Sequence, residues 1–180
     1  MNIYIMRHGT TVWNEKGITQ GRSNNRLSKN GVLLTKSVAE KYTQTKFDAI
    51  VCSPLFRTVQ TANLMNSYHK VKIFKDERLT EIDQGIFTGR NPNTLSNEEC
   101  QLKKQRNKKA KMESLQECFD RVKNFLTNLK SDYPFENLLI ITHNCCASFL
   151  YDIIENIPID FSDKKFICNF DNAEVRKMSI

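Results

Sequence analysis

The chain has 180 residues, a hydrophobic share of 39%, a charged share of 26% and a formal net charge of +7. This length can bury a continuous core and the composition is globular, which excludes a disordered or low-complexity chain. No run approaches the roughly 20 apolar residues of a membrane helix and the N-terminus lacks the regions of a signal peptide, so a cytoplasmic protein without a membrane partner is expected.

Asn2 to Met6 is a short, apolar, β-rich run that ends abruptly in Arg7, His8 and Gly9. A helical pattern over 31–45 follows a Lys-Asn-Gly turn. DAIVC, 48–52, is a second apolar run bounded by polar and turn-forming residues, as buried parallel strands are. Pro54 stands at the first position of a helical pattern over 54–67, and VKIF, 71–74, is a weaker strand. Residues 86–112 are polar, rich in Asn and Lys and punctuated by Gly89 and Pro92, and they read as an insertion. The clearest helix covers 114–130, where Leu115, Cys118, Phe119, Val122, Phe125, Leu126 and Leu129 recur at helical spacing. Ser114 and Glu117 form a capping-box signature at its start, and Pro134 stops its continuation. LLIIT, 138–142, is another buried strand; His143 follows it and Asn144 opens a helix. FICNF, 166–170, and EVRKMSI, 174–180, read as terminal strands joined by a tight turn at Asp171-Asn172-Ala173. Strands alternating with helices predict an α/β fold, a three-layer α/β/α sandwich with a mostly parallel central sheet, as one domain over 1–180.

Six cysteines, at 52, 100, 118, 145, 146 and 168, have no CxxC spacing, and reduced thiols are expected. Cys145 and Cys146 read as small helix residues. His8, His69 and His143 lie near no cysteine pair of ligand spacing, so no metal is expected. KKQRNKKAK, 103–111, holds six basic residues and no acid and carries most of the excess charge. It reads as a solvated helix face, with attraction of an anionic substrate as the alternative. Without interleaved aromatics it does not read as a nucleic-acid surface. Cys100 and Arg106 have the Cys-x5-Arg spacing of cysteine-dependent phosphatases. CQLKKQR has no internal glycine and no strand before it, so the spacing is read as chance.

In open α/β sheets ligands bind beyond the carboxyl ends of the strands. There the chain places Arg7-His8-Gly9, Ser53-Pro54-Leu55-Phe56-Arg57 and His143-Asn144. Two arginines, two histidines and helix N-termini at one sheet edge describe a concave cationic pocket suited to phosphate. Neutral imidazole is nucleophilic near pH 7, and arginines hold a phosphoryl group bidentately without losing charge. Asp76, Glu77, Glu81 and Asp83 are candidates for the acid that protonates the leaving alkoxide.

RHGTTVWN, SPLFRTVQTA, LTEIDQGIFTG and LLIITH, in that order and at these intervals, resemble the histidine phosphatase superfamily, the phosphoglycerate mutase-like proteins. The resemblance covers essentially the whole chain. It implies that His8 is the nucleophile that becomes phosphohistidine, that Arg7 and Arg57 bind the phosphoryl oxygens, and that His143 completes the pocket. It implies that Glu81 is the proton donor and later the base, that Asn14 contacts the phosphate, and that Gln20 and Gly21 line the substrate side. It implies no metal and no organic cofactor, and an insertion over 86–112 that covers the active site. Three positions depart from the family pattern: Thr10 after Arg-His-Gly, Phe87-Thr88-Gly89 for Trp-Glu-Gly, and Asn144 for the glycine after the second histidine. Asn tolerates a left-handed backbone, and its amide is a further candidate phosphate ligand.

The resemblance thus implies a phosphatase acting on a small phosphorylated metabolite. Sugar phosphates, phosphorylated cofactor precursors such as α-ribazole phosphate, and amino-acid phosphates all fit it. A cofactor-dependent phosphoglycerate mutase is the alternative; such mutases carry a larger insertion between the acid and the second histidine. A catalytically idle binding relative is a third reading, whose mark would be loss of His8 or an arginine.

Overall fold

The computed structural model describes residues 1–106, 108–161 and 169–180. Strand β1 (Asn2–Arg7) leads through a one-turn helix α1 (Val12–Glu15) and helix α2 (Lys29–Lys41) to β2 (Ala49–Cys52). Helix α3 (Phe56–His69) returns to β3 (Lys72–Lys75). Helices α4 (Asn97–Gln105), α5 (Leu115–Thr127) and α6 (Leu129–Asp132) precede β4 (Asn137–Thr142), and α7 (Asn144–Ile154) precedes β5 (Val175–Ser179). The described strands form one sheet of order β3-β2-β4-β1-β5. Its first four strands are parallel, and β5 runs antiparallel along β1, with Asn2 opposite Ser179.

Alternation along the strands builds the layers. Ile3, Ile5, Ala49, Val51, Leu138 and Ile140 face one side and pack with Val122 and Phe125 of α5 and Phe149 and Leu150 of α7. Tyr4, Met6, Ile50, Cys52, Leu139 and Ile141 face the other, onto Ala39 of α2 and Ala62 and Met65 of α3. The near-continuous apolar runs thus supply two cores at period two. Each fully buried side chain of this size contributes ~1.5–3 kcal/mol. The expected α/β/α sandwich is present, and β4 lies between β1 and β2. Their carboxyl ends are therefore adjacent, and that adjacency gathers residues 7–8, 53–57 and 143.

Several boundaries differ from the sequence reading. Helix α2 begins earlier, because the Ser28 side chain accepts the Gly31 N–H at 3.0 Å, and it stops at Lys41. Helix α3 begins at Phe56 rather than Pro54, since Leu55 is still extended. The helix expected over 114–130 is divided at Asn128, whose side-chain amide donates to the Asn124 carbonyl at 2.8 Å. Of the two expected terminal strands the second is β5. The first falls largely on 166–168, which lie outside the described residues. The turn between them forms, with the Glu174 N–H donating to the Asp171 carbonyl at 3.1 Å.

The largest departure is in 86–112. This segment contains α4, opened by a capping box between Ser96 and Glu99. It has a small core of Phe87, Ala110 and Met112, with Leu95 and Leu102 against it. The basic run is therefore not one solvated helix face. Lys103 and Lys104 end α4, while Arg106 is left-handed (φ 43) and donates to the carbonyls of Glu113 (3.1 Å) and Asp83 (3.0 Å). Cys100 lies inside α4, so its Cys-x5-Arg spacing builds no phosphate loop. Among the described residues, no helix is long and apolar enough to cross a membrane.

The loop after β1 rests directly on α2. A Cβ on Gly31 would stand 1.9 Å from the Thr10 carbonyl oxygen. Gly31→Ala should therefore lower stability by ~1–3 kcal/mol through overpacking. A urea melt checks this, and an unchanged midpoint would contradict the close approach.

Candidate active site

Strand β1 carries His8 to the sheet mouth, where the residue is 2% exposed. His8 Nδ1 lies 2.7 Å from the Gly9 carbonyl oxygen. A carbonyl only accepts, so Nδ1 bears the proton and Nε2 is bare. Nε2 accepts from Arg57 Nε at 3.2 Å. Burial, reinforced by Arg57 and Arg7, pushes the imidazole pKa well below 6.5, so the neutral, nucleophilic form persists. Its backbone is held from outside: the His8 carbonyl accepts from Asn172 Nδ2 at 3.0 Å and from the Ala173 N–H at 3.2 Å.

His143 ends β4 and caps α7, its ring centre 5.2 Å from that of His8 at an interplanar angle of 63°. Its Nε2 is 2.9 Å from Ser53 Oγ. Ser53 Oγ already accepts the Leu55 N–H at 3.3 Å and has its own proton to give. Assigned from this network, Ser53 donates to Nε2 and the His143 ring proton sits on Nδ1. Nδ1 is buried and has no partner among the described residues. The same is true of Arg7 Nε, whose Nη1 donates to the Phe170 carbonyl at 2.6 Å. Buried donors without partners are rare in folded proteins. Two of them near a bare imidazole nitrogen have the chemistry to donate to an oxygen-rich anion.

Arg57 is fully buried near the start of α3. Besides meeting His8, it donates Nη1 to the Ser23 carbonyl at 2.7 Å and Nη2 to the Gly21 carbonyl at 2.8 Å. Burial pulls its pKa down to about 10. Gly21 adopts a left-handed backbone (φ +48), and a Cβ there would stand 2.9 Å from Thr88 Oγ1. The loop that Arg57 holds therefore passes close against the segment that follows Glu81.

The four candidate acids separate by environment. Burial works against ionised Asp76, yet hydrogen bonds from Arg78 and Tyr133 hold it below the usual carboxylate range. Glu77 accepts the Thr80 hydroxyl at 3.3 Å, and Asp83 Oδ1 accepts the Gly85 N–H at 2.8 Å. Glu81 is the carboxyl that burial raises, while the charges of Arg57 and Arg7 act against that rise. Its Oε1 accepts the Ile82 N–H at 3.0 Å and its carbonyl accepts Arg22 Nε at 3.2 Å.

The remaining expected residues occupy a shell around this centre. Asn14 Oδ1 accepts the Thr11 N–H at 3.0 Å as half of the α1 capping box, and Gln20 Oε1 accepts the Thr11 hydroxyl at 2.9 Å. Asn144 is the first residue of α7, so the left-handed conformation its glycine position suggested does not arise. Its amide donates to Asn169 Oδ1 at 3.2 Å and accepts the Phe170 N–H at 2.9 Å, which steadies the carbonyl that holds Arg7. Cys145 and Cys146 are buried in α7, and burial drives the Cys145 thiol up to about 11, which keeps it protonated. Among the described residues, no cluster of three or more His, Cys, Asp or Glu is arranged to hold a metal.

Ser53, Thr61, Arg22 and Asn172 were not read as site residues from the sequence. Ser53 meets a histidine 90 positions away, and Thr61 Oγ1 accepts the Gly9 N–H from one turn beyond Arg57. A hydroxyl directly at the end of a buried strand was the available signal for Ser53.

The histidine phosphatase superfamily (branch 1) model matches residues 3–180. A Hydrogenobacter thermophilus protein provisionally named phosphoserine phosphatase 2 is 30% identical, over 88% of this chain and 80% of its own length. Cronobacter sakazakii GpmB, named a probable phosphoglycerate mutase, is 29% identical over 88% of this chain and 76% of its own. The α-ribazole phosphatase structure from Shigella flexneri superposes with a TM-score of 0.87 at 22% identity, covering all of this chain and 91% of that one. With two paired histidines and their arginines at the mouth of this sheet, the chain belongs to the histidine phosphatase superfamily.

Proposed function

We propose that the protein is a phosphatase that hydrolyses a small phosphorylated metabolite, a phosphomonoester, through a phosphohistidine on His8. The observation that carries this is the set of three poised nitrogens: bare His8 Nε2, and the buried unpartnered N–H groups of Arg7 and His143. In this reading the phosphoryl group enters between them, its oxygens accept from Arg7 Nε, Arg57 Nε and His143 Nδ1, and Nε2 attacks phosphorus. Charge that develops on those oxygens meets donors already in place, so little reorganisation is required. Glu81 delivers its proton to the leaving oxygen, then takes one from the water that releases phosphate from Nε2. Asn14, Gln20 and Gly21 shape the substrate side, and Asn144 acts through Phe170 on Arg7. No metal or cofactor enters these steps.

Residues 86–112 serve as the cover of this site within one domain spanning 1–180. Lys103 Nζ reaches the Thr19 hydroxyl at 3.2 Å, and Thr88 touches the Gly21 turn, which supports that placement. Phosphatase names among the relatives support hydrolysis, and they stand beside the mutase name of GpmB.

With p-nitrophenyl phosphate under chelator, the wild type should turn over and His8→Ala should lose activity by at least roughly a thousandfold. Acid-labile, base-stable phosphate should be trapped on the wild type alone. Retained turnover in His8→Ala would refute the nucleophile. Glu81→Gln should lose roughly 100-fold in kcat/KM, which excludes the later hydrolysis step, on an alkyl phosphate and far less on the nitrophenyl ester, whose leaving group needs little protonation. Equal losses would remove Glu81 from the acid role.

The pH dependence has a definite sign. His8 is pushed down, so kcat for an alkyl phosphate should persist below the ordinary imidazole range rather than fall through 6.5. Glu81 is pushed up, so its proton survives above the ordinary carboxylate range and the rate should fall on the alkaline side as it ionises. Glu81→Gln should abolish that alkaline limb; a limb unchanged in the variant would assign it to another group.

A further inference from the structure

Glu81 hangs on an irregular stretch between β3 and α4, and four side chains from elsewhere in the chain clasp that stretch. Three are arginines. Arg22 Nε donates to the Glu81 carbonyl at 3.2 Å, Arg121 Nη1 to the Arg78 carbonyl at 2.7 Å, and Arg106 Nη2 to the Asp83 carbonyl at 3.0 Å. The fourth is Glu113. Its carboxylate joins Arg22 to Arg121: Oε1 lies 3.1 Å from Arg22 Nη2 and 2.8 Å from Arg121 Nε, and Oε2 lies 3.1 Å from Arg121 Nη2. Oε2 also accepts the Asp83 N–H at 3.1 Å. The Glu113 backbone repeats the attachment, its N–H donating to the Asp83 carbonyl at 3.2 Å and its carbonyl accepting Arg106 Nε at 3.1 Å.

We infer that Glu113 is a positioning residue for the catalytic acid, holding the backbone on both sides of Glu81 through Arg22, Arg121 and Asp83. The inference rests on the reading of Glu81 as that acid. Glu113 itself touches neither histidine among the described contacts and moves no proton. Its side chain is 11% exposed, so the bidentate pair with Arg121 is charge-assisted and largely shielded from water. The Arg22 side is more open, with 43% of that side chain exposed. A flexible loop cannot hold a carboxyl within hydrogen-bond reach of a leaving oxygen, and displacement by about 1 Å costs up to about 100-fold in rate. The clasp holds the extended backbone that carries Glu81 between two short 3-10 turns, Glu77–Leu79 and Gly85–Phe87. It also joins the Arg57-held loop, through Arg22, to the acid loop, so both walls of the site share one anchor.

The test uses the intact protein with two probes of similar shape, phenyl phosphate and p-nitrophenyl phosphate, whose leaving groups differ in their need for a proton. Glu113→Gln keeps the shape and one acceptor but leaves Arg22 and Arg121 without a counter-charge. It should lower kcat/KM, which reports the step that expels the leaving group and not the later hydrolysis shared by both esters, by roughly tenfold or more for phenyl phosphate and by no more than about threefold for p-nitrophenyl phosphate. Arg22→Gln, altered on the exposed side of the clasp, should shift the same ratio in the same sense and carries the test if Glu113→Gln does not fold. Equal losses on both esters, or no loss, in folded variants would overturn the positioning role. If Glu81→Gln shows the leaving-group dependence while neither clasp variant does, the positioning role alone fails. If Glu81→Gln shows none, the acid assignment fails and this inference falls with it.

Discussion

One short contact, His8 Nδ1 to the Gly9 carbonyl, decides the chemistry available to this site. It places the imidazole proton on the side away from Arg57 and leaves Nε2 unprotonated, its electron pair accepting from Arg57 Nε. Everything around it preserves that state. Burial and two guanidinium groups make protonation of the ring unfavourable, and Asn172 and Ala173 fasten the backbone from which the ring hangs. The sheet contributes by geometry: with β4 inserted between β1 and β2, three strand ends meet, and His8, His143 and Arg57 converge although far apart in sequence.

The site divides its N–H donors between two tasks. Arg57 is spent largely on structure, since both terminal nitrogens hold the Gly21–Ser23 loop and Nε alone faces His8. Arg7 and His143 keep buried N–H groups without partners. A buried donor left without a partner costs of the order of 1–3 kcal/mol. In the proposed reaction a phosphoryl group would satisfy both of them. Glu81 complements them, a carboxyl whose pKa burial raises while the arginines beside it act against that rise.

The core of this arrangement was legible in the sequence because it depends on local pattern. Apolar runs ending in RHG, SPLFR and TH locate three strand ends, and the sheet then brings the ends together. What was not legible depends on long-range partners. Ser53 bonds His143 from 90 residues away, and Asn144 accepts from Phe170 across 26 residues. The 86–112 segment looked featureless because Phe87, Leu95, Leu102 and Met112 lie too far apart to show a period, although Ser96-Asn97-Glu98-Glu99 carried a capping signature. Its basic run looked like a solvated face, whereas Arg106 turns inward at a left-handed residue to hold the loop that carries Glu81 and Asp83. Charge density alone does not distinguish a solvated cation from a structural one.

The central claim is that His8 is a neutral, Nδ1-protonated imidazole at the pH where the protein works. Nitrogen-15 NMR of histidine-labelled protein, with His8 assigned by its loss in His8→Ala, measures this directly. At pH 6.5 the account predicts a protonated Nδ1 and a bare Nε2, and that pattern should persist as the pH is lowered below 6.5. A doubly protonated ring at pH 6.5, or a proton on Nε2, would contradict it.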